Sequence, residues 1–391
     1  MRLLTRYVLG EICKVFLVTL TSLTLLMILI GAVKEALAQG LGAAQIVQLL
    51  PYLLPNALIF AVPGTILFSV SSVYGRMSGA NEIVALKSLG LSPMVILWPV
   101  LLFSVLLSFA TVWINDLAMS WGARGVQRVV VNALEDIAYG MLRTRHSFRT
   151  PAFSVIVKQV EGRRLIGPHF SLQEESGPVT IRAKSAELAS NSGSGVLTVK
   201  LYSGTIDAPG HHFEFPDREI EHDIVINPQA GRPDTSPAHM ALREIPERTV
   251  RQKDLLDQIE QRMIAQAGFQ MMTGDFERLT NASWNDEARQ LQGERYQYFR
   301  MQTEPPRRWA NGFSCLCFAL VGAGMAIRMK NSDALTSFFL CFGPILLVYY
   351  PLLAFGLDRA KSGNINPYAV WMANAALAVW GLWLLRRVIR Y

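Results

Sequence analysis

Met94-Val-Ile-Leu-Trp-Pro-Val-Leu-Leu-Phe-Ser-Val-Leu-Leu-Ser-Phe-Ala-Thr-Val-Trp-Ile114 carries no charge in 21 positions. An α-helix rises about 1.5 Å per residue, so roughly 20 apolar residues cross about 30 Å of hydrocarbon. Five more runs of this kind occupy 15–33, 49–73, 309–327, 335–357 and 367–385. Within hydrocarbon every backbone N–H and C=O must be paired inside its own segment, so each run is expected to be helical. Three runs precede a polar stretch, 115–308, and three follow it. The chain therefore reads as an α-helical polytopic membrane protein with six transmembrane helices in a 3+3 layout and an inserted domain.

Two features qualify the first pair of runs. Arg2 and Arg6 precede the first, and Ala36-Leu-Ala38 follows it, the pattern of a cleaved signal peptide. The run is longer than a signal core, and Lys34 and Glu35 separate it from the alanines, so an uncleaved span is expected. The second run contains Pro51, Pro55 and Pro63. Each proline removes a helix hydrogen bond, which predicts a kinked or re-entrant start to the span, or a hinge.

Lysine and arginine in the short loops set orientation. Arg2, Arg6, Arg76, Lys87, Arg328, Lys330, Arg386, Arg387 and Arg390 fall on one side. Lys34, Arg359 and Lys361 fall on the other. The bias places both termini and the loop 75–93 in the cytoplasm and the long insert outside. The net charge of +7 is largely this topology signal, so nucleic-acid binding is not indicated.

The insert changes texture along its length. Segment 115–147 continues span three as a helical connector. Segment 148–226 alternates apolar and polar residues in Ser154-Val-Ile-Val-Lys158, Val179-Thr-Ile-Arg-Ala183 and Val196-Leu-Thr-Val-Lys-Leu-Tyr202. Turn residues separate these runs: Glu161-Gly162, Ser176-Gly177-Pro178, Asn191-Ser-Gly-Ser-Gly195, Ser203-Gly204 and Pro209-Gly210. Short strands at this spacing predict a β-sandwich or a jelly-roll-like domain. Segment 227–308 is a linker followed by helices. Leu255, Leu256, Ile259, Met263 and Ile264 recur at helical spacing, and a second polar helix is expected from Phe276 to about Met301, stopped by Pro305-Pro306. Spans four to six fill 309–391, and spans one to three fill 1–114. The 3+3 layout hints at a duplication, although no internal repeat is visible.

No catalytic constellation is evident. There is no phosphate-cradling loop for ATP, no H-E-x-x-H and no G-x-S-x-G. All six histidines lie in the insert without a ligand set, and it contains no cysteine for a disulfide framework. Cys315 and Cys317 point to different faces of a helix, which disfavours a metal site. The chain is expected to be no enzyme and to bind no cofactor or metal. What remains is the loop Gly75-Arg-Met-Ser-Gly-Ala-Asn-Glu-Ile-Val-Ala-Leu-Lys-Ser-Leu-Gly-Leu-Ser-Pro93. Ile83, Leu86 and Leu89 recur at helical spacing, with Glu82 at the start and Gly90 at the end. Such a helix either rests its apolar stripe in the lipid interface or fills a groove on a cytosolic partner, with Glu82 paired to a basic residue there.

Glu82-Ile-Val-Ala85, Gly90, Ser92 and Pro99 resemble the coupling loop of ABC-transporter permeases. Most of the chain resembles the lipopolysaccharide export permease family, LptF/LptG. Arg6-Tyr7-Val8-Leu9 with Glu11, Gly75-Arg76-Met77-Ser78, Ile181-Arg-Ala-Lys-Ser-Ala186, Leu201-Tyr-Ser-Gly204, Tyr349-Tyr350 and Trp371-Met-Ala-Asn374 occur in the family's order. The segments around Glu11 and 36–40 lean towards the F type. Two departures concern local geometry. Span four reads Gly322-Ala-Gly324-Met-Ala326 instead of a small-Pro-Leu-Gly motif, and the helical segment 255–301 is longer than usual.

The resemblance implies an inner-membrane permease paired with a second six-span permease. It also implies a cytosolic ABC ATPase dimer that uses ATP and Mg, and a bridge of periplasmic β-jelly-roll proteins. Lipopolysaccharide would leave the membrane through a lateral gate and enter a dry trough, since each exposed CH2 costs about 0.8 kcal/mol. Glu82, Ile83, Leu86 and Leu89, with Arg76 and Lys87 in support, would form the ATPase-coupling interface. Lys34 falls where the family uses basic residues near lipid phosphates, or is an ordinary interfacial lysine. Phe338, Phe339, Leu346, Tyr349 and Tyr350 lie on the gate-forming span five, where they face lipid or pack. The alternative is a non-transporting membrane scaffold that relays ATPase motion to the exported domain.

Overall fold

The computed structural model describes residues 2–39, 43–132, 139–143, 146–149, 153–174, 177–190, 196–208, 211–225, 236–279, 281–329 and 334–390. The expected turns at 191–195 and 209–210, Ser176, the linker up to 235, Gly40 and Lys330 lie outside these residues. The described chain is mostly helical, with one curled antiparallel sheet. Six helices are long and apolar enough to cross a membrane: Leu3–Glu35, Ile46–Gly79, Met94–Val126, Trp284–Arg328, Leu335–Lys361 and Pro367–Ile389. We call them spans one to six.

The chain divides into two compact units. The first comprises Met1–Met27, Pro55–Ser120 and Ser236–Tyr391. One buried cluster joins Ile12, Ile66, Tyr74, Ile96, Cys315 and Ala319 from spans one, two, three and four. A second joins Leu67, Phe318, Ile345, Tyr349 and Leu377 from spans two, four, five and six. Small residues let these helices approach closely. A Cβ on Gly312 of span four would lie 2.3 Å from the Val112 side chain and 2.9 Å from the Ser108 carbonyl on span three.

Two helix boundaries differ from expectation. Pro305-Pro306 does not stop a helix: Ala282–Arg328 is one continuous helix of 47 residues. Proline fixes φ at a helical value, but it forfeits its own hydrogen bond and its ring crowds the carbonyl four residues back, so the helix continues here against a local cost. Here Glu304 and Arg307 close an ion pair of 2.7 Å across the two prolines, which staples that turn. The prolines of span two lie within one continuous helix, Ala43–Gly79, so its start is not re-entrant. Span five is instead interrupted by a π-helical turn, Ile345–Tyr349.

The segment before span four forms an antiparallel helical hairpin. Helix Ile245–Thr273 ends on Gly274 at φ 75°, a left-handed cap that glycine adopts without strain. It returns along Ala282–Arg328, tied by Gln252 to Glu294 (2.6 Å) and by Arg295 to Glu260 (2.6 Å).

The second unit comprises Ile28–Leu54 and Trp121–Thr235. Its sheet has eight strands: β1 (Ser147–Arg149), β2 (Phe153–Ile156), β3 (Gln159–Glu161), β4 (Arg164–Ile166), β5 (His169–Glu174), β6 (Gly177–Ser190), β7 (Val196–Ala208) and β8 (His211–Val225). The order is β1-β2-β5-β6-β4-β3, with β7 pairing both β6 and β8. The three alternating runs expected from sequence are strands, although longer or shifted by a few residues. β6 is the long central strand; Ile181, Ala183, Ala186 and Leu188 point into the core. That burial skips one position between Ala183 and Ala186. Nearby, the β7–β8 register shifts between Tyr202 and Gly204, and Ser203 takes φ 51°. An irregularity of this kind bends and twists a strand, which curls the sheet. Gly204 faces Ala183, and a Cβ there would lie 2.1 Å from the Arg182 carbonyl oxygen. Tyr139 locks the sheet from outside it. Its hydroxyl accepts from the Leu188 N–H (2.9 Å) and donates to the Arg163 carbonyl.

Candidate coupling site and lipid-facing surface

The loop between spans two and three folds into a seven-residue helix, Glu82–Ser88. Asn81 enters it with φ 57°, a left-handed conformation asparagine tolerates. Gly90 leaves it with φ 73°. The Gly90 N–H donates to the Lys87 carbonyl (2.9 Å), and the Leu91 N–H to the Leu86 carbonyl (3.1 Å). This is a Schellman ending, and it is why glycine stands at that position. Glu82 sits in the first turn, at the positive end of the helix dipole.

The apolar stripe divides between the core and the surface. Ile83 is 4% exposed and belongs to the core of the helical unit, with Leu86 packed partly against it. Leu89 lies outside the helix, at its C-cap, and is 75% exposed. The outward surface is therefore Val84, Ala85, Ser88 and Leu89, beside a half-buried Glu82. Val84 and Ala85 escaped the sequence reading because helical spacing alone does not say which face is already occupied.

Four family-like residues around the loop have individual structural duties. A Cβ on Gly75 would lie 3.0 Å from the Ser337 hydroxyl of span five, so glycine permits that approach. Arg76 pairs with Glu11 of span one at 2.8 Å. Met77 is buried in the core. The Ser78 hydroxyl donates to the Ile327 carbonyl at the end of span four (2.7 Å). Lys87 donates to the Val388 carbonyl at the end of span six (2.8 Å). A groove of about 960 Å³ opens here, lined by Ser78, Val84, Lys87, Ser88, Arg328 and Arg387, among others. The Arg387 guanidinium lies 4.0 Å above the Trp383 ring, a cation–π contact.

The lipid-facing candidates separate on inspection. Phe339, Leu346 and Tyr350 are exposed on span five, the surface a bilayer or bound lipid would meet. Phe338 is half-buried and stacks on Phe342 with centroids 5.5 Å apart. It also lines an almost wholly apolar groove of about 350 Å³ with Thr19, Leu23 and Leu26 of span one and Gly64 and Phe68 of span two. Tyr349 is 3% exposed and packs edge-on against Phe318 at 5.2 Å, so it belongs to the core. The π-helical turn rotates it inward while Leu346 stays outside. Lys34 is exposed on the first helix.

A buried polar cluster was missed by the sequence reading. Arg308, fully buried, donates to Asp116 of span three (2.6 Å) and to the carbonyls of Ala238 (3.0 Å) and Met240 (2.7 Å). Asp116 also accepts from the Leu242 N–H (2.8 Å). No local pattern marks a pair 192 positions apart. Among the described residues, no group of His, Cys, Asp and Glu is arranged to hold a metal ion.

The family described as lipopolysaccharide export system permease LptF/LptG matches residues 6–387. No curated protein matches the chain's sequence. The match takes in every span, the loop helix and the sheet, and the chain belongs to the lipopolysaccharide export permease family LptF/LptG, a transporter component of the inner membrane rather than an enzyme.

Proposed function

We propose that this chain is the membrane half of a lipopolysaccharide extractor driven by a separate cytosolic ABC ATPase dimer. The loop helix docks on the ATPase through Glu82 and the exposed Val84–Ala85 and Ser88–Leu89 surface. Both termini and this loop are cytoplasmic, and the β-rich insert is periplasmic. A second six-span permease completes the gate. Lipid leaves along the sheet, which acts as a jelly-roll-like trough and passes it to a periplasmic bridge of similar domains by adding strands edge to edge.

The loop helix carries this reading. It is anchored inward by Ile83 and closed at its C-terminal end by a Schellman cap, yet leaves a small apolar surface exposed beside the half-buried Glu82. A rigid lever with an uncovered outer face is what a partner-driven permease needs. The test is purification in mild detergent. The wild-type chain is expected to bring down an ABC ATPase, and Glu82→Lys to lose it or to hydrolyse ATP without export. ATP-dependent lipid release at the wild-type rate by Glu82→Lys would remove Glu82 from the interface. Absence of lipid crosslinks to inward-facing sheet positions such as Phe170 and Leu201 during turnover would favour the non-transporting scaffold.

A further inference from the structure

Lys87 stands on the loop helix, but its amine is turned inward. It bonds the Val388 carbonyl at 2.8 Å. Val388 lies in the last turn of helix Met372–Arg390, where carbonyls have no partner within the helix and the dipole is negative. An ammonium is the natural group to occupy that end. The neighbouring cation, Arg387, is stacked on Trp383 of its own helix. The other two stitches near the loop, Arg76–Glu11 and Ser78–Ile327, both leave from span two. Lys87 thus bonds the moving part itself to span six.

Its surroundings make that bond a transmission point. Asn81 and Gly90 take left-handed backbone at either end, turning the chain sharply so that the helix is a short separate segment between spans two and three. Ile83 on the inner face supplies a pivot in the core. Lys87 lies one turn beyond Ile83, at the opposite end of the helix from Glu82. A push at the Glu82 end is therefore delivered at the Lys87 end as a displacement of the terminus of span six.

We infer that Lys87 is a positioning residue that hands loop-helix motion to the end of span six, rather than a contact to the ATPase. This rests on the docking of an ATPase at the loop helix proposed above. The test uses the full complex in lipid nanodiscs. A nitroxide placed by Ile389→Cys, in a Cys13→Ser background, reports the end of span six. In the wild-type sequence the label is expected to change mobility on ATP addition. Lys87→Met keeps the aliphatic stem and drops the donors. It should retain the ATPase and its hydrolysis, lose the label's response, and lower lipopolysaccharide released per ATP by about tenfold, the scale of one charge-assisted bond. Lys87→Arg, which keeps charge and donors, should restore both. If the Lys87→Met permease itself fails to fold into the membrane, Lys87→Leu provides the same donor-free comparison.

Wild-type release and label response in Lys87→Met would overturn the inference. So would loss of ATPase binding in that variant, which would make Lys87 a partner contact and leave the proposed function standing. Failure of the wild-type chain to bind any ATPase would instead remove the proposed function itself.

Discussion

Replacing Arg308 should unfasten the chain where it returns to the bundle after the sheet. The guanidinium is fully buried and makes three hydrogen bonds, to Asp116 at 2.6 Å and to the carbonyls of Ala238 and Met240 at 3.0 and 2.7 Å. Its Nε lies 3.9 Å from Glu304, itself 1% exposed. Arg308→Ala takes the cation from Asp116, which is partly exposed and keeps the Leu242 N–H, and the guanidinium donors from the Ala238 and Met240 carbonyls. Breaking a fully buried ion pair from one side costs about 3–5 kcal/mol, and the partial exposure of Asp116 lowers the expected cost here to about 2–4 kcal/mol. Arg308→Lys keeps the charge but cannot fork to reach all three acceptors, and should cost about 1–3 kcal/mol. Asp116→Asn should be milder than Arg308→Ala, because Glu304 remains near the cation and the amide oxygen still accepts from Leu242. Unfolding in nanodiscs gives the ranking, and hydrogen exchange at 237–242 gives the location. The segment held by Arg308 should exchange faster in Arg308→Ala, with spans five and six unchanged. Three variants within about 0.5 kcal/mol of wild type, the usual range for featureless surface sites, would refute the clamp.

Other substitutions separate anchoring from docking. Ile83→Ala should cost about 2–5 kcal/mol of stability by opening a cavity beneath the loop helix, read from unfolding in nanodiscs. Leu89→Ser, on the exposed cap, should leave stability within about 0.5 kcal/mol yet weaken ATPase co-purification. Gly204→Val should disrupt β6–β7 pairing, because its Cβ meets the Arg182 carbonyl; faster hydrogen exchange at 181–188 would show it. Gly312→Leu forces spans three and four apart and should destabilise by about 1–3 kcal/mol or more, whereas Gly293→Ala, with open space around it, should be neutral or stabilising in the same assay.

The sequence made some of this legible and hid the rest for physical reasons. Uncharged runs near 20 residues announced the spans because hydrocarbon tolerates little else. Gly90 announced the end of the loop helix because a Schellman cap needs a left-handed residue. The alternation Ile181, Ala183 announced β6, but its change of phase before Ala186 carries no signal in the local sequence. Pro305-Pro306 misled because a local rule met a tertiary exception: buried Glu304 and Arg307 bridge the prolines. Tyr349 takes the packing alternative, which the sequence left open because the π-helical turn that sets its direction has no local signal. Arg308 and Asp116 were silent because neither has a local pattern to reveal a partner nearly two hundred positions away.

Several family-like letters become physical requirements once their contacts are known. Asn374 of span six donates to the Ala310 carbonyl of span four at 2.7 Å, a bond in a region where an unpaired amide would be costly. Leu201-Tyr-Ser-Gly204 and Ile181-Arg-Ala-Lys-Ser-Ala186 are two sides of one strand pairing, with Gly204 opposite Ala183. Gly75-Arg-Met-Ser78 divides its duties among four neighbours: span five for the glycine, span one for the arginine, the core for the methionine and span four for the serine. The loop helix adds span six through Lys87. An amphipathic helix resting loosely in lipid would need none of these ties. Most of them hold the end of span two in place, and the loop helix itself is held by Ile83 in the core and Lys87 on span six. The inward burial of Ile83 fixes the helix on one face and leaves Val84, Ala85, Ser88 and Leu89 exposed on the other, the face on which the proposed docking rests.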